Sequence, residues 1–202
     1  MPQTLQEAQN QLNKLLTTFP SIREILSEQA LGWEESIIKK DENGIHRINL
    51  STLNLEGIQL PYAQLQYVLL NDANLHKSTL DWADMTGAQL IAADLENSKI
   101  RNVCLTKADL TDANLKEADL QNTNFQGAWL SNAEVYFTQV EGAIISDQQL
   151  IEVKFSDAVV KDSLLGTLRG TDGKPQDQLA IMRCLQNKIG LGELAKTFER
   201  NT

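Results

Sequence analysis

Ala108-Asp109-Leu110-Thr111-Asp112-Ala113-Asn114-Leu115-Lys116-Glu117-Ala118-Asp119-Leu120 states one five-residue phrase three times over: a small residue, Asp or Asn, Leu, then two variable positions. Working outward, every fifth residue from Leu50 to Leu150 is apolar, 21 positions in succession. In a chain that is 42% hydrophobic, chance would produce this about once in 10^8, so the period decides the fold. A second constraint runs two residues ahead of it. From Ala63 to Ala143 that position holds Ala, Ser, Thr or Val at every repeat, and the residue between the two is usually polar, as at Asn74, Asp84, Asp94 and Asn124.

The spacing has one geometric reading. In extended chain alternate side chains face opposite ways, so the small residue and the Leu point inward and the Asp or Asn points out. Strict alternation would bring the next inward residue one place early, so the two remaining residues must turn a corner. A corner every five residues gives a four-sided coil with four repeats per turn, a stack of parallel strands ~4.8 Å apart. Residues 20 apart then form four aliphatic columns, among them Leu50-Leu70-Leu90-Leu110-Leu130 and Leu65-Met85-Leu105-Phe125-Ile145. Ile48, Leu53, Ile58 and Val68, the larger occupants of the small site, gather at the N-terminal end, where the first coil has no neighbour and must meet a cap.

These motifs resemble the pentapeptide-repeat family over residues 46–165. The resemblance implies an all-β solenoid with helical caps: a right-handed quadrilateral parallel β-helix of about five to six coils, and a cyanobacterial-type protein. It implies little about function, because one repeat scaffold serves many roles.

Both ends need closing, since a solenoid exposes apolar end-coils and strand edges. Leu5, Ala8, Leu12, Leu15, Leu16 and Phe19 fall at helical spacing, and Pro20 stops that helix. Ser21 with Glu24 reads as a capping box for a second helix carrying Ile22, Ile25 and Leu26 towards Trp33. Asp41-Glu42-Asn43-Gly44 reads as the turn into the first coil. The expected organisation is therefore an N-terminal helical cap (1–45), a β-helix (46–165) interrupted by a short helix near 147–153, and a C-terminal turn and helices (166–202). The interruption is signalled by Gln148 at a small site and by Ser146 with Gln149 at helix-start spacing. Asp172-Gly173-Lys174-Pro175 begins an amphipathic helix through Leu179, Met182 and Leu185.

Composition narrows the function. Net charge is −9, which disfavours direct nucleic-acid binding. No run approaches the ~18 apolar residues of a membrane span, and the N-terminus lacks a signal-type apolar core, so a cytoplasmic protein without membrane insertion is expected. Cys104 and Cys184 are the only cysteines; Cys104 takes an outward site and Cys184 the apolar face of a helix. His46 and His76, 30 residues apart with no cysteine nearby, read as surface histidines. No phosphate, nucleotide or nucleophile-elbow motif occurs. The expectation is a non-enzyme with no catalytic residues, no cofactor and no metal.

Outward aromatics are the remaining signal. Tyr62 and Trp82 lie 20 residues apart, hence on adjacent coils, with Tyr67 on the next corner; Trp129, Tyr136 and Phe137 form a second group. Such groups mark a docking surface or ground covered by a capping helix. The expected function is a scaffold or adaptor engaging a protein partner, with the C-terminal helix a candidate homodimer surface. The alternative, implied by the family resemblance, is an acidic DNA mimic that inhibits a type II topoisomerase. Residues 46–165 carry 16 acids against 8 bases, but Lys77, Lys99, Arg101, Lys107 and Lys116 are interspersed among them.

Overall fold

The computed structural model describes residues 4–29, 37–135, 138–145 and 149. The chain starts with α1 (Leu5–Thr18), fixed by a capping box the sequence reading overlooked. Thr4 Oγ1 accepts from the Glu7 N–H, while the Glu7 carboxylate accepts from the Thr4 N–H at 2.7 Å. The Thr4 N–H and the Thr4 hydroxyl, both donating to the Glu7 carboxylate, hold it below its usual range. Phe19 closes the helix by donating its N–H to Leu15 O at 2.9 Å.

The second helix, α2 (Pro20–Gln29), starts two residues sooner than a Ser21 cap allows. Pro20 occupies the first helical position, where its missing N–H costs nothing and its ring presets φ; Ser21 lies inside the helix. Ala8, Leu12, Leu15 and Leu16 of α1 and Ile22 and Leu26 of α2 are buried. All of these but Ala8 share one apolar cluster with Ile48, Leu53 and Ile58 at the start of the coils.

Asp41–Gly44 makes a hairpin turn before the coils begin, joining β1 (Ile38–Lys40) to β2 (His46–Ile48) in antiparallel register. Asp41 Oδ1 accepts from the Asn43 and Ile45 N–H groups, and Gly44 supplies the φ of +80° that the turn requires. The Arg47 guanidinium bonds the other Asp41 oxygen at 2.9 Å and, with those backbone bonds, holds its carboxyl below the ordinary range.

From Asn49 onward each outward residue pairs in parallel with the residue 20 further on, from Asn49↔Leu69 through Asn124↔Ile144. Two main-chain bonds carry each rung, for example Leu90 N–H to Asp109 O at 2.7 Å and Asp109 N–H to Ala88 O at 2.9 Å. Between rungs the chain turns: the Ala113 N–H returns to Leu110 O at 3.1 Å while Asp112 sits at φ 59°. A positive φ at the third turn residue is the type II geometry, and it recurs every five residues. Gly, Asn and Asp fill many of these positions, as that conformation favours. The outward Asp and Asn side chains brace the same corners. Oδ1 of Asn74, Asp84, Asp94, Asp109, Asn114, Asp119 and Asn124 accepts from the N–H two residues on.

Leu50, Leu70, Leu90, Leu110 and Leu130 are each no more than 2% exposed, as are their counterparts in the other columns up to Phe125. Val135 and Val140 are half-buried. Four small sites among the described coils carry hydroxyls. Ser98, Thr123 and Thr138 donate to Leu95 O, Ile100 O and Leu115 O, but Ser78 Oγ is buried with no partner. Ser78→Ala is therefore expected to raise stability by about 1 kcal/mol, because it removes an unsatisfied polar group from a column that elsewhere accepts Ala. A thermal melt checks this; a lower melting temperature would mean that the hydroxyl is satisfied in solution.

Side chains finish the strand edges where main chain runs out. Gln11 of α1 donates to Gln64 O at 2.9 Å and Gln66 O at 3.0 Å. Gln29, at the end of α2, both accepts from the Asn54 N–H at 2.7 Å and donates to Asn54 O at 3.1 Å. The Asn49 N–H is taken by Ile37 O. In the last described coil the buried Gln149 amide donates to Phe125 O and Ala128 O at 2.6 and 2.8 Å. By the rung pattern, Ala128 O would accept from the main-chain N–H of position 149, so the side chain replaces it. Gln149 is helical; the rest of the expected 147–153 helix, Trp33, the 153–165 coil, Cys184 and the C-terminal helices lie outside the described residues.

Candidate functional site

The corner geometry places Tyr62 and Trp82 directly above one another. Each occupies the positive-φ position of its turn, at 61° and 65°, so both side chains project off the edge. Their rings stack with centroids 6.3 Å apart and planes 12° from parallel. They remain 67% and 55% exposed, so α1 and α2 leave them uncovered. Tyr62 also borders a shallow cleft of about 40 Å³ between the coil and α1, lined by Lys14, Leu15, Thr18 and Phe19.

A bulky side chain is a poor occupant of this backbone region, which disfavours most L-residues by about 1–2 kcal/mol. Thr, Lys, Ala and Glu also appear at corner positions, so the fold tolerates that strain. Two stacked aromatics there gain contact with each other but leave most of their apolar surface in water.

The backbone beneath Trp82 is stiffened from one side. Asp81, 8% exposed, receives both the main-chain N–H and the guanidinium of Arg101 one coil on. Burial alone would push the Asp81 carboxyl up, but the Arg101 hydrogen bonds outweigh it and the net shift is downward. Arg101 also lies 3.7 Å from Asp119, and both acids hold its guanidinium protonated more firmly than usual. Trp82 N–H donates to Arg101 O at 2.9 Å.

The other expected aromatics separate. Tyr67 is half-buried: a Cβ at Gly87 would fall 2.7 Å from its ring, and Arg47 lies 5.7 Å above the ring centroid. Arg47 also donates to Tyr67 O and Gly87 O, so Tyr67 ties the hairpin to the coils and is not a free surface. Trp129 is 61% exposed but stands on a flat side, paired through its backbone with Asp109, away from the Tyr62–Trp82 edge. Tyr136 and Phe137 lie outside the described residues. Cys104 is half-buried, its sulfur 3.3 Å from the hydroxyls of both Thr86 and Thr106.

His76 is not isolated as its sequence neighbours suggested. The coil brings Asp94 and Glu96, 18 and 20 residues on, to within 4.8 Å of its imidazole as possible ligand atoms. The spacing was present in the sequence, but only a register of 20 makes those residues neighbours.

Among the described residues no helix is long and apolar enough to cross a membrane. No curated protein matches the chain. A family model described as pentapeptide repeats matches residues 69–106 and 108–147 in 8 copies. Among solved structures, the chain is similar to a pentapeptide repeat protein from the Arabidopsis thaliana thylakoid lumen, at 23% identity over 64% of this chain and 88% of that one, TM-score 0.50. It is also similar to one from Nostoc Pcc 7120, at 32% identity over 41% of this chain and 68% of that one, TM-score 0.39. A third, Rfr23 from the cyanobacterium Cyanothece 51142, is 23% identical over 65% of this chain and 91% of that one, TM-score 0.25. With the repeat found in sequence, in family model and in the 20-residue register, the chain belongs to the pentapeptide-repeat family, whose members form right-handed β-helices.

Proposed function

We propose that this protein is a non-enzymatic scaffold: a four-sided rod, closed at its N-terminal end by α1 and α2, that captures a protein partner on the edge carrying Tyr62 and Trp82. The observation that carries the reading is the exposed aromatic stack at two positive-φ corners. Rigid aromatic area on an ordered backbone loses little entropy on binding, which is how hot spots work. Pentapeptide-repeat proteins are generally structural or interaction proteins.

The acidic-mimic alternative is less well supported. Asp and Asn alternate at the same outward sites and make the same bond to the turn N–H, so the site asks for an acceptor and not for a charge. Arg101 and Lys116 also pair with acids along the coils, which breaks up any continuous anionic row.

The test replaces both aromatics by Asn, which tolerates the corner conformation. Tyr62→Asn/Trp82→Asn is expected to keep or slightly raise the melting temperature while weakening capture of the native partner by more than about tenfold. Intact capture, or a lowered melt with capture unchanged, would sink the docking edge. In a gyrase supercoiling assay the wild-type chain is expected to be inert; inhibition at micromolar protein would favour the mimic.

A further inference from the structure

We propose that His76, Asp94 and Glu96 form a binding site for one divalent transition-metal ion, with zinc the best match. Asp94 stands on a flat side of the rod, and Glu96 follows at the next corner. His76 occupies the same corner one coil earlier. One ligand atom from each of the three residues can be chosen so that all lie within 4.8 Å of one another. Metal–ligand distances of ~2.0–2.2 Å allow opposite ligands to stand at most ~4.4 Å apart. Small side-chain rotations therefore close the set around an ion, with the backbone unmoved.

The carboxylates are already held towards a common centre. Asn114 Nδ2, one coil above, donates to Asp94 Oδ1 and Glu96 Oε2, each at 3.0 Å. Asp94 Oδ1 also accepts from the Glu96 N–H at 3.1 Å. Outer hydrogen bonds of this kind fix the orientation of metal ligands. Among the described residues neither carboxylate forms an ion pair with Lys or Arg. Two negative charges thus face one imidazole with no fixed cation between them. All three residues are half-buried, leaving room for water to complete the coordination.

The ligand types choose the metal class. One imidazole nitrogen with two carboxylate oxygens suits zinc and its first-row neighbours, whereas calcium and magnesium prefer an all-oxygen set. The site occupies a different edge from Tyr62 and Trp82, so it does not depend on the docking proposal.

The test is calorimetric titration of the untagged full chain, stripped with chelator and exchanged into chelator-free buffer, with zinc chloride and separately with calcium chloride. One equivalent of zinc is expected to bind, with calcium at least about tenfold weaker. His76→Ala should reduce zinc affinity by at least about tenfold, and Asn114→Ala, which frees the carboxylates, by about tenfold or more. Zinc should raise the melting temperature of wild type but not of His76→Ala. If His76→Ala does not fold, Glu96→Gln carries the same expectation, because it keeps the shape and removes one charged ligand. Absence of saturable zinc binding below about 100 μM, unchanged affinity in the folded variants, or equal calcium affinity would overturn the proposal.

Discussion

Leu110→Asp is expected to unfold the middle of the rod, lowering the melting temperature by about 10 °C or more. Leu110 is completely buried in a column where Leu90 and Leu130 lie above and below it. Truncating a buried Leu already costs about 2–5 kcal/mol, and a carboxylate there has no partner for its charge and must be neutralised or desolvated. At about 2–4 °C per kcal/mol for a chain of this size, the combined cost gives the stated shift. The adjacent change Asp109→Asn is the control. Asp109 Oδ1 accepts from the Thr111 N–H at 3.0 Å and from its hydroxyl at 2.6 Å, and an amide oxygen keeps both bonds. Its effect should stay within about 0.5 kcal/mol. Equal losses in parallel thermal melts would show that the inward and outward positions have been exchanged.

The rod was legible in the sequence because one physical requirement repeats. Each repeat must send one small and one large apolar side chain inward and then turn, so the register of 20 follows from the spacing alone, and bridges such as Leu90-flanking Gln89↔Asp109 obey it. The positive φ at each corner has a signal too, Gly57, Gly87 and Gly127 at one repeat position, which the period of apolar residues does not use. What the pattern does not encode is contact made by unique residues. The Gln11 and Gln29 bonds to coil edges join residues 53 and 25 apart with no recurrence to reveal them.

The candidate sites divide in the same way. The pairing of Tyr62 with Trp82 followed from the period, and so does the proximity of His76 to Glu96 once residues 20 apart are compared for chemistry as well as for hydrophobicity. The role of Tyr67 did not follow. Whether an outward ring is free depends on Arg47, which arrives from a hairpin outside the repeat. Ser21 was misread for a local reason: a capping box and a proline at the first helical position compete at Pro20-Ser21, and only backbone geometry decides between them.

Removing residues 1–44 is expected to destabilise the remaining rod and make it associate end to end. The deletion uncovers Ile48, Leu53 and Ile58, which are now 0%, 7% and 6% exposed. At about 1.5–3 kcal/mol per side chain, these three alone give a loss of about 5 kcal/mol or more. It also strips the edge of Gln11, Gln29 and Ile37, leaving the Asn49 and Asn54 N–H groups and the Gln64 and Gln66 carbonyls as an open template for another strand. The apolar and polar parts can be separated. Gln11→Leu/Gln29→Leu leaves the helices in place and removes only the edge bonds, so it should cost about 1 kcal/mol per lost bond without aggregation. Leu26→Asp, aimed at a fully buried side chain of α2, should reproduce most of the deletion. Light scattering and thermal melts on the three proteins give the ranking. If the truncated chain elutes as a monomer with an unchanged melt, α1 and α2 are an independent module, and the first coil is stable without them.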